Sequence, residues 1–326
     1  MAVYTHLGAE DLAQLIAHYE VGSLISAKGI AEGVSNSNWL VETSGPDGKG
    51  ARYILTMYER RIETSDLPFF LGLLDHLAAK GCPVPRTIHD RSGAYYRMIG
   101  DKAVALIEFL PGVSVDRPTV GQARAVGRAL AQMHLASQDF AMSRANGLDI
   151  SMSHRTLEHC GEAALSGIDS ELPTYIDRAA QLRDLWPVDL PRAICHTDLF
   201  PDNVLMLGDR VSALIDFYFA AEDSMAYDLA VTHASWCFED GGHRYLPDVG
   251  QALVAGYEET RPLEPSEREQ LPLLAQGACL RFVASRAEDW LNTPADALVT
   301  RKDPMDFARR LQFYADAGSG AFERPR

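Results

Sequence analysis

Apolar positions along this chain follow two rhythms, and the change from one to the other divides it. From Leu7 to Tyr19 the residues Leu12, Leu15, Ile16 and Tyr19 recur at helical spacing, and Gly22 can end that helix. A strand-rich section follows. Residues alternate in type from Asn38 to Thr43 and from Tyr53 to Tyr58, and the segment Ser44-Gly45-Pro46-Asp47-Gly48-Lys49-Gly50 between them has loop composition. Asp66 to Lys80 predicts a helix with Phe70, Leu73, Leu74 and Leu77 on one face, stopped by Gly81. Two more strands are expected near Tyr95–Ile99 and Val104–Phe109. Leu110-Pro111-Gly112 then breaks the pattern. Beyond it the chain reads as mostly helical: Thr119-x-x-Gln122 resembles a capping box, with Ala123, Val126, Leu130 and Met133 on one face after it. Further helices are predicted over Pro173–Leu185, Leu229–Phe238, Val249–Thr260, Glu267–Trp290 and Pro304–Ala315, with a frayed tail after Ala317. The expectation is α+β, with a small antiparallel-sheet lobe over residues 1–109 and a mainly helical lobe over 110–326.

Size agrees with two lobes, since 326 residues exceed a typical single core. The formal net charge of −15 opposes nucleic-acid binding, which needs clustered cations, and opposes attachment to an anionic membrane surface. Cys82, Cys160, Cys195, Cys237 and Cys279 are scattered and odd in number, with no Cys-x-x-Cys pair, so neither a zinc site nor a disulfide framework is expected. No signal peptide and no membrane-spanning apolar run is visible, and the cytosol is the expected compartment. Nothing in the sequence sets an oligomeric state.

Chemistry concentrates in His196-Thr197-Asp198-Leu199-Phe200-Pro201-Asp202-Asn203 and, shortly after, Ile215-Asp216-Phe217. The order His-x-Asp-x-x-x-x-Asn, an apolar segment, then Asp-Phe resembles the catalytic loop and metal-binding Asp of kinase-like phosphotransferases. Val204–Leu207 reads as a short buried strand, Gly208-Asp209 as a two-residue turn, and Arg210–Ile215 as the returning strand. With Leu207 opposite Arg210, the register sets Asn203 opposite Leu214, and alternation then points Asp216 to the same side as Asn203. An amide oxygen and a carboxylate so placed can share Mg²⁺. Asp198 lies in the loop above and can take a proton from an attacking hydroxyl. His196 is expected to hold the loop by a hydrogen bond, and Tyr227-Asp228-Leu229-Ala230 supplies a second acidic motif.

Lys28 to Asn38 is rich in glycine and small polar residues, which allow close backbone approach to phosphate. Gly29, Gly33, Ser35 and Asn36 are the candidate nucleotide contacts there. Glu108-Phe109-Leu110-Pro111-Gly112 joins the lobes, and the backbone at Glu108 and Leu110 can pair with an adenine edge.

Taken together these pieces resemble the aminoglycoside phosphotransferase-like superfamily of the protein-kinase-like fold, and most closely its bacterial homoserine kinase group. The resemblance runs over nearly the whole chain, through Gly29-Ile30-Ala31-Glu32-Gly33, Tyr53-Ile54-Leu55-Thr56, Asp66-Leu67-Pro68-Phe69-Phe70, Gly81-Cys82-Pro83-Val84-Pro85, the catalytic segment, and Arg281-Phe282 with Ser285-Arg286. It implies ATP- and Mg²⁺-dependent phosphorylation of the L-homoserine hydroxyl to O-phospho-L-homoserine, within threonine biosynthesis. By the same resemblance Asp198 matches the catalytic acid, and Asn203 and Asp216 match the metal ligands. One departure stands out. The superfamily often places a Lys on the strand after the glycine loop, paired with a helix Glu; here those positions hold Thr56 and Phe70. Lys28, Arg60 and Arg61 are candidates to neutralise phosphate instead.

A small zwitterionic acceptor needs an Arg for its carboxylate and an acid for its ammonium. Arg281, Arg286, Asp202 and Glu222 are the candidates. Other small alcohols, namely an aminoglycoside, choline or methylthioribose, are alternative acceptors. Trp236 and Trp290 would be the source of a choline cage. A nucleotide-binding pseudokinase is the alternative from another class; the absent Lys–Glu pair favours it and the intact Asp198, Asn203 and Asp216 oppose it.

Overall fold

The computed structural model describes residues 7–30, 36–59, 62–293 and 301–323. Its residues group into two compact units. The first comprises Met1–Gly112 together with two later stretches, Phe140–Met142 and Ser212–Tyr218. It opens with α1 (Ala9–Ile16), whose apolar stripe buries Leu12, Leu15 and Ile16. Then come β1 (Leu24–Ile30), β2 (Asn36–Thr43), β3 (Ala51–Tyr58), α2 (Leu67–Ala79), β4 (Thr87–Ile88), β5 (Arg97–Ile99) and β6 (Lys102–Glu108). The strands form one antiparallel sheet in the order β1-β2-β3-β6-β4, with β5 also paired to β6. Alternation sorts its faces. Trp39 and Val41 of β2, Leu55 and Met57 of β3, and Val104 and Leu106 of β6 pack with the α1 stripe and Tyr19 into one core. The intervening residues Asn38, Thr56 and Tyr58 therefore point to the opposite face.

Two sequence expectations change here. Lys28–Ile30 lies within β1, whereas the glycine-rich segment was expected to precede the first strand. Most of β1 is exposed or half-exposed, with Ile25 on the surface, so it carries no period-two signal. Ser212–Tyr218, expected in the 110–326 lobe, groups with the first unit: Leu214 N–H donates to Pro83 C=O (2.7 Å), and Tyr218 packs its ring on Tyr58 and Phe70.

The second unit comprises Val113–Asp139, Ser143–Val211 and Phe219–Arg326. Its helices are α3 (Val120–Ser137), α4 (Ile150–Cys160), α5 (Glu162–Ile168), α6 (Thr174–Asp184), α7 (Met225–Trp236), α8 (Pro247–Thr260), α9 (Pro265–Asn292) and α10 (Met305–Ala317). Helix α3 starts as expected: Thr119 Oγ1 accepts from Gln122 N–H, and Gln122 Oε1 accepts from Thr119 N–H. Short strands punctuate the helices: β7 (Arg192–Cys195) pairs with β10 (Ala221–Ser224), β8 (Val204–Leu207) with β9 (Arg210–Leu214), and β11 (Phe238–Glu239) with β12 (Arg244–Tyr245). The β8–β9 turn is Gly208-Asp209, with Gly208 at φ +61°. Helices α4 and α5 escaped the sequence reading. The tail is more ordered than expected, for a 3-10 turn over Gly318–Ala321 follows α10 and Phe322 stacks on Tyr314. All five cysteines are free thiols. Among the described residues no helix is long and apolar enough to cross a membrane.

Candidate active site

In the second unit, β7 delivers the chain into the loop that starts at His196. Cys195 pairs with Ala221 at the end of the β7–β10 ladder, and the next residues leave regular structure. Thr197 takes φ +61°, a left-handed conformation that a β-branched residue adopts only when its surroundings impose it. Three contacts impose it. Thr197 N–H donates to Asp228 Oδ1 (2.7 Å), Thr197 Oγ1 donates to Phe219 C=O (3.0 Å), and the Arg281 guanidinium donates to Thr197 C=O.

Asp228, on α7, is the anchor. It is fully buried, and its Oδ2 also accepts from His196 N–H (2.7 Å) and meets His134 Nε2 (2.9 Å). Burial alone would raise its carboxyl. The hydrogen bond and charge of His134, with the charge and backbone N–H of His196, outweigh burial and hold it below the usual range. His134, from α3, spends its Nδ1 on the Tyr257 hydroxyl of α8 (2.8 Å). Asp228 was visible in sequence as an acidic motif. His134 was not, because a histidine on an apolar helix face looks like core until its partners are known. His134, Cys195 and Asp228 have ligand atoms within 4.8 Å of one another, but these groups are already committed to Tyr257, to backbone carbonyls and to the loop amides. The cluster is a brace and not a metal site.

The braced loop presents Asp198. Its backbone N–H donates to His196 Nδ1 (3.3 Å), so His196 holds the loop as expected. Asn203, at the end of a 3-10 turn (Pro201–Asn203), turns its amide back: Nδ2 donates to Asp198 C=O (2.8 Å) and lies 3.4 Å from Asp198 Oδ2. That orientation directs the amide nitrogen to Asp198 and the Oδ1 away from it, an oxygen of the donor type a hard cation takes. Arg281, on α9, is 4% exposed, and its Nη2 lies 3.9 Å from Asp198 Oδ1. The rings of Phe219 and Phe282 lie 5.7 and 4.9 Å from its guanidinium.

Asp216 belongs to the first unit. It also has a left-handed backbone, φ +65°, and its side chain is exposed. Two residues on, the Tyr218 hydroxyl lies 3.2 Å from that of Tyr58, while Thr56 Oγ1 donates to Asn38 Oδ1 (2.8 Å). Burial raises both phenols, and the nearby Asp216 charge raises them further, which sets this carboxylate within electrostatic reach of the hydroxyl pair.

The remaining sequence candidates fall in several places. Gly29 lies in β1 opposite Trp39. Asn36 opens β2 opposite Tyr58 and is buried, with an Oδ1 that has no hydrogen-bond partner among the described residues. Gly33, Ser35, Arg60 and Arg61 lie outside the described residues. Glu108 ends β6, where its carboxylate accepts from Arg86 N–H (3.1 Å), and Leu110 follows it half-buried. Lys28 is exposed. Lys102 of β6 forms an ion pair with the buried Glu59, but both lie near Ser37 on the side of the sheet occupied by Met57 and Val104, away from Thr56. Of the proposed acceptor ligands, three have charges already used inside the protein. Glu222 takes bonds from Ser143 and Arg192, Arg286 donates to Asp303 C=O and Asp306, and Arg281 holds the loop. Asp202 alone keeps an exposed carboxylate with no partner among the described residues. Trp236 is core, 1% exposed, with Nε1–H donating to Leu199 C=O. The Trp290 ring is covered by Arg301.

Comparison with known proteins gives the family and the fold. Residues 26–263 match the phosphotransferase enzyme family. A homoserine kinase from Methylobacterium sp. (strain 4-46) is 49% identical over 316 residues, covering 96% of this chain and 96% of that protein. One from Acidiphilium cryptum (strain JF-5) is 45% identical over 324 residues, 98% and 99% of the two chains. Among solved structures, an amicoumacin kinase in complex with AMP-PNP, Ca²⁺ and Ami has a TM-score of 0.73 at 14% identity, covering 97% of this chain and 96% of that one. Spectinomycin phosphotransferase with ADP and spectinomycin has a TM-score of 0.71 at 14% identity, covering 98% and 100%. The fold is protein-kinase-like.

Proposed function

This chain belongs to the phosphotransferase enzyme family, and from that premise we propose that it transfers the γ-phosphoryl group of ATP to the side-chain hydroxyl of L-homoserine, giving O-phospho-L-homoserine and ADP for threonine biosynthesis. The observation that carries the choice of acceptor is identity of 49% and 45% with two homoserine kinases across almost the whole of each chain. In the step, the hydroxyl oxygen bonds to the γ-phosphorus and the bond from that phosphorus to the β–γ bridging oxygen breaks. The hydroxyl proton passes to Asp198.

Positioning and charge neutralisation do most of the work in phosphoryl transfer. Asp198 suits the role of base because its loop is immobilised from behind by Asp228 and Arg281, and because Asn203 Nδ2 holds its backbone carbonyl. We assign Asn203 Oδ1 and the exposed Asp216 carboxylate as the oxygen ligands of Mg²⁺, which when bound offsets phosphate charge. Gly29, Gly33, Ser35 and Asn36 are assigned to the nucleotide, a role that suits the orphaned, buried Asn36 Oδ1. Cysteines held as thiols suit a reducing compartment, and we place the reaction in the cytosol.

ADP release measured against homoserine, choline and an aminoglycoside tests the acceptor. Homoserine is expected to dominate; faster release with either of the others overturns the assignment. Replacing Asp198→Asn is expected to lower homoserine-dependent turnover by about 10²–10⁴-fold while ATP still binds. Normal turnover in that variant would remove Asp198 from the mechanism.

A further inference from the structure

Behind the catalytic loop, the second unit buries more polar groups than the Asp228 brace itself contains. His134 meets Asp228 through Nε2 (2.9 Å) and the Tyr257 hydroxyl through Nδ1 (2.8 Å). The Tyr257 oxygen accepts from Arg261 Nη1 (3.3 Å), and Arg261 Nη2 donates to both carboxylate oxygens of Glu267 (2.9 Å each). Glu267 Oε2 also accepts from Glu264 N–H (2.9 Å) in the turn that opens α9. Glu267, Arg261, Tyr257, His134 and Asp228 are all buried. They form one unbroken line from the α8–α9 turn to the backbone amides of His196 and Thr197. A buried ion pair such as Arg261–Glu267 gains little stability over a well-packed apolar pair. What an apolar pair does not do is donate a hydrogen bond.

Counting protons gives the line a direction. Arginine only donates, so Arg261 occupies the acceptor side of the Tyr257 oxygen. Among the described residues, the phenol's one proton then has a single acceptor in reach, His134 Nδ1. At the other end the Asp228 carboxylate only accepts, which places the ring's proton on Nε2. The Cys195 thiol also lies within 4.8 Å, but it donates to backbone carbonyls. Both ends of the line thus select the same imidazole: bare at Nδ1, protonated at Nε2 and uncharged. The ring's charge counts in acid, where the Asp228 carboxyl titrates. This state matters because Asp228 Oδ2 is shared between His134 and the His196 N–H (2.7 Å). A charged ring makes the stronger bond and draws that oxygen away from the loop.

We propose that Arg261, held by Glu267, is a positioning residue for Asp198: by donating to Tyr257 it keeps His134 uncharged and leaves the Asp228 carboxylate to the loop amides. The inference rests on the reading of Asp198 as the base. Helix α9 then fixes Thr197 from two sides, at its C=O directly through Arg281 and at its N–H through the line that starts at Glu267.

The test reads the ring and the reaction separately. Full-length protein labelled with ¹⁵N-histidine is studied by nuclear magnetic resonance at neutral pH without substrate. The His134 ring, assigned by its nuclear Overhauser contacts with Tyr257, is expected to show a bare Nδ1 and a protonated Nε2. The double variant Arg261→Met, Glu267→Gln removes the donor and leaves no unpaired charge. Its Nδ1 is expected to take up a proton, and homoserine-dependent kcat to fall about tenfold at unchanged KM for ATP. The fall is smaller than the about 10²-fold of a misplacement of about 1 Å, because Asp228 and Arg281 still hold the loop. Arg261→Lys keeps a donor beside Tyr257 and is expected to keep the parental ring and kcat. Tyr257→Phe is expected to lower kcat by the same factor as the double variant, and the two combined to lower it no further. A parental ring or parental kcat in the double variant, an Arg261→Lys that behaves like the double variant, or losses that multiply on combination overturn the proposal. Tyr257→Phe carries the decision if the double variant fails to fold, and parental kcat there overturns it. Normal turnover in Asp198→Asn beside the expected ring states would instead remove the reading of Asp198 as the base.

Discussion

A small number of side chains decide whether Asp198 stands where it must. Thr197 is held in an unfavourable backbone state by Asp228 below its N–H and Arg281 beyond its C=O. Removing the Asp228 acceptor with Asp228→Ala strands two buried amides and His134. The expected loss is about 3–5 kcal/mol of stability in urea unfolding, with turnover abolished. Arg281→Met keeps the packing volume and gives up the carbonyl clamp. A misplacement of about 1 Å can cost about 10²-fold in rate, so kcat is expected to fall by about that much while ATP affinity, measured by nucleotide titration, stays near parental. If KM for homoserine rises and kcat holds, Arg281 binds the acceptor and the clamp is secondary. At this scale the sequence was legible where chemistry is local: Asp198, Asn203, Asp216 and Asp228 announce themselves by type and spacing. Arg281 did not. Its partner lies 84 residues earlier in the chain, and a charge read without its partner looks available for ligand.

The same dependence on distant partners appears at the level of elements. The β8–β9 hairpin and the α3 start were readable because a glycine turn and a capping box are local signals. Strand β1, with its exposed faces, gave none. Nor did the crossing of α3 and α8, which is set by two small residues. A Cβ on Gly127 would lie 2.0 Å from Leu253 C=O, and one on Gly256 would lie 2.0 Å from Arg124 C=O. The helices therefore meet backbone to backbone. Gly127→Ala is expected to cost at least about 1–3 kcal/mol in urea unfolding, because backbone rather than a flexible side chain must give way. Helix α8 carries Tyr257, which holds His134 and through it Asp228. Turnover in Gly127→Ala should therefore fall even under conditions where the protein remains folded.

At the scale of the whole chain, acid is the expected weakness. His233 is fully buried, hydrogen-bonded through Nδ1 to the Tyr314 hydroxyl (2.6 Å), and has no hydrogen-bond partner at Nε2 among the described residues. Burial pushes its pKa down to about 3. The unfolded chain takes up a proton at about pH 6.5 that the folded chain refuses until about pH 3. Its contribution is thus complete above about pH 6.5 and is lost on acidification at up to about 1.4 kcal/mol per pH unit. Melting temperatures of the parent and His233→Gln between pH 7 and 4.5 check this; the variant should show the shallower slope. The division into units was partly visible, since the break at Leu110-Pro111-Gly112 lies next to the boundary at Gly112. The return of Ser212–Tyr218 to the first unit was not, because the pairing of Leu214 with Pro83 leaves no mark on either local sequence.

That return has a consequence for how the molecule is made. A ribosome releases the chain from its N-terminus, so everything up to Gly112 is available while the stretch ending at Tyr218 is still unsynthesised. At about 5–20 residues per second the interval is roughly 5–20 s. Through that time Tyr58 and Phe70 stand without the ring that will cover them.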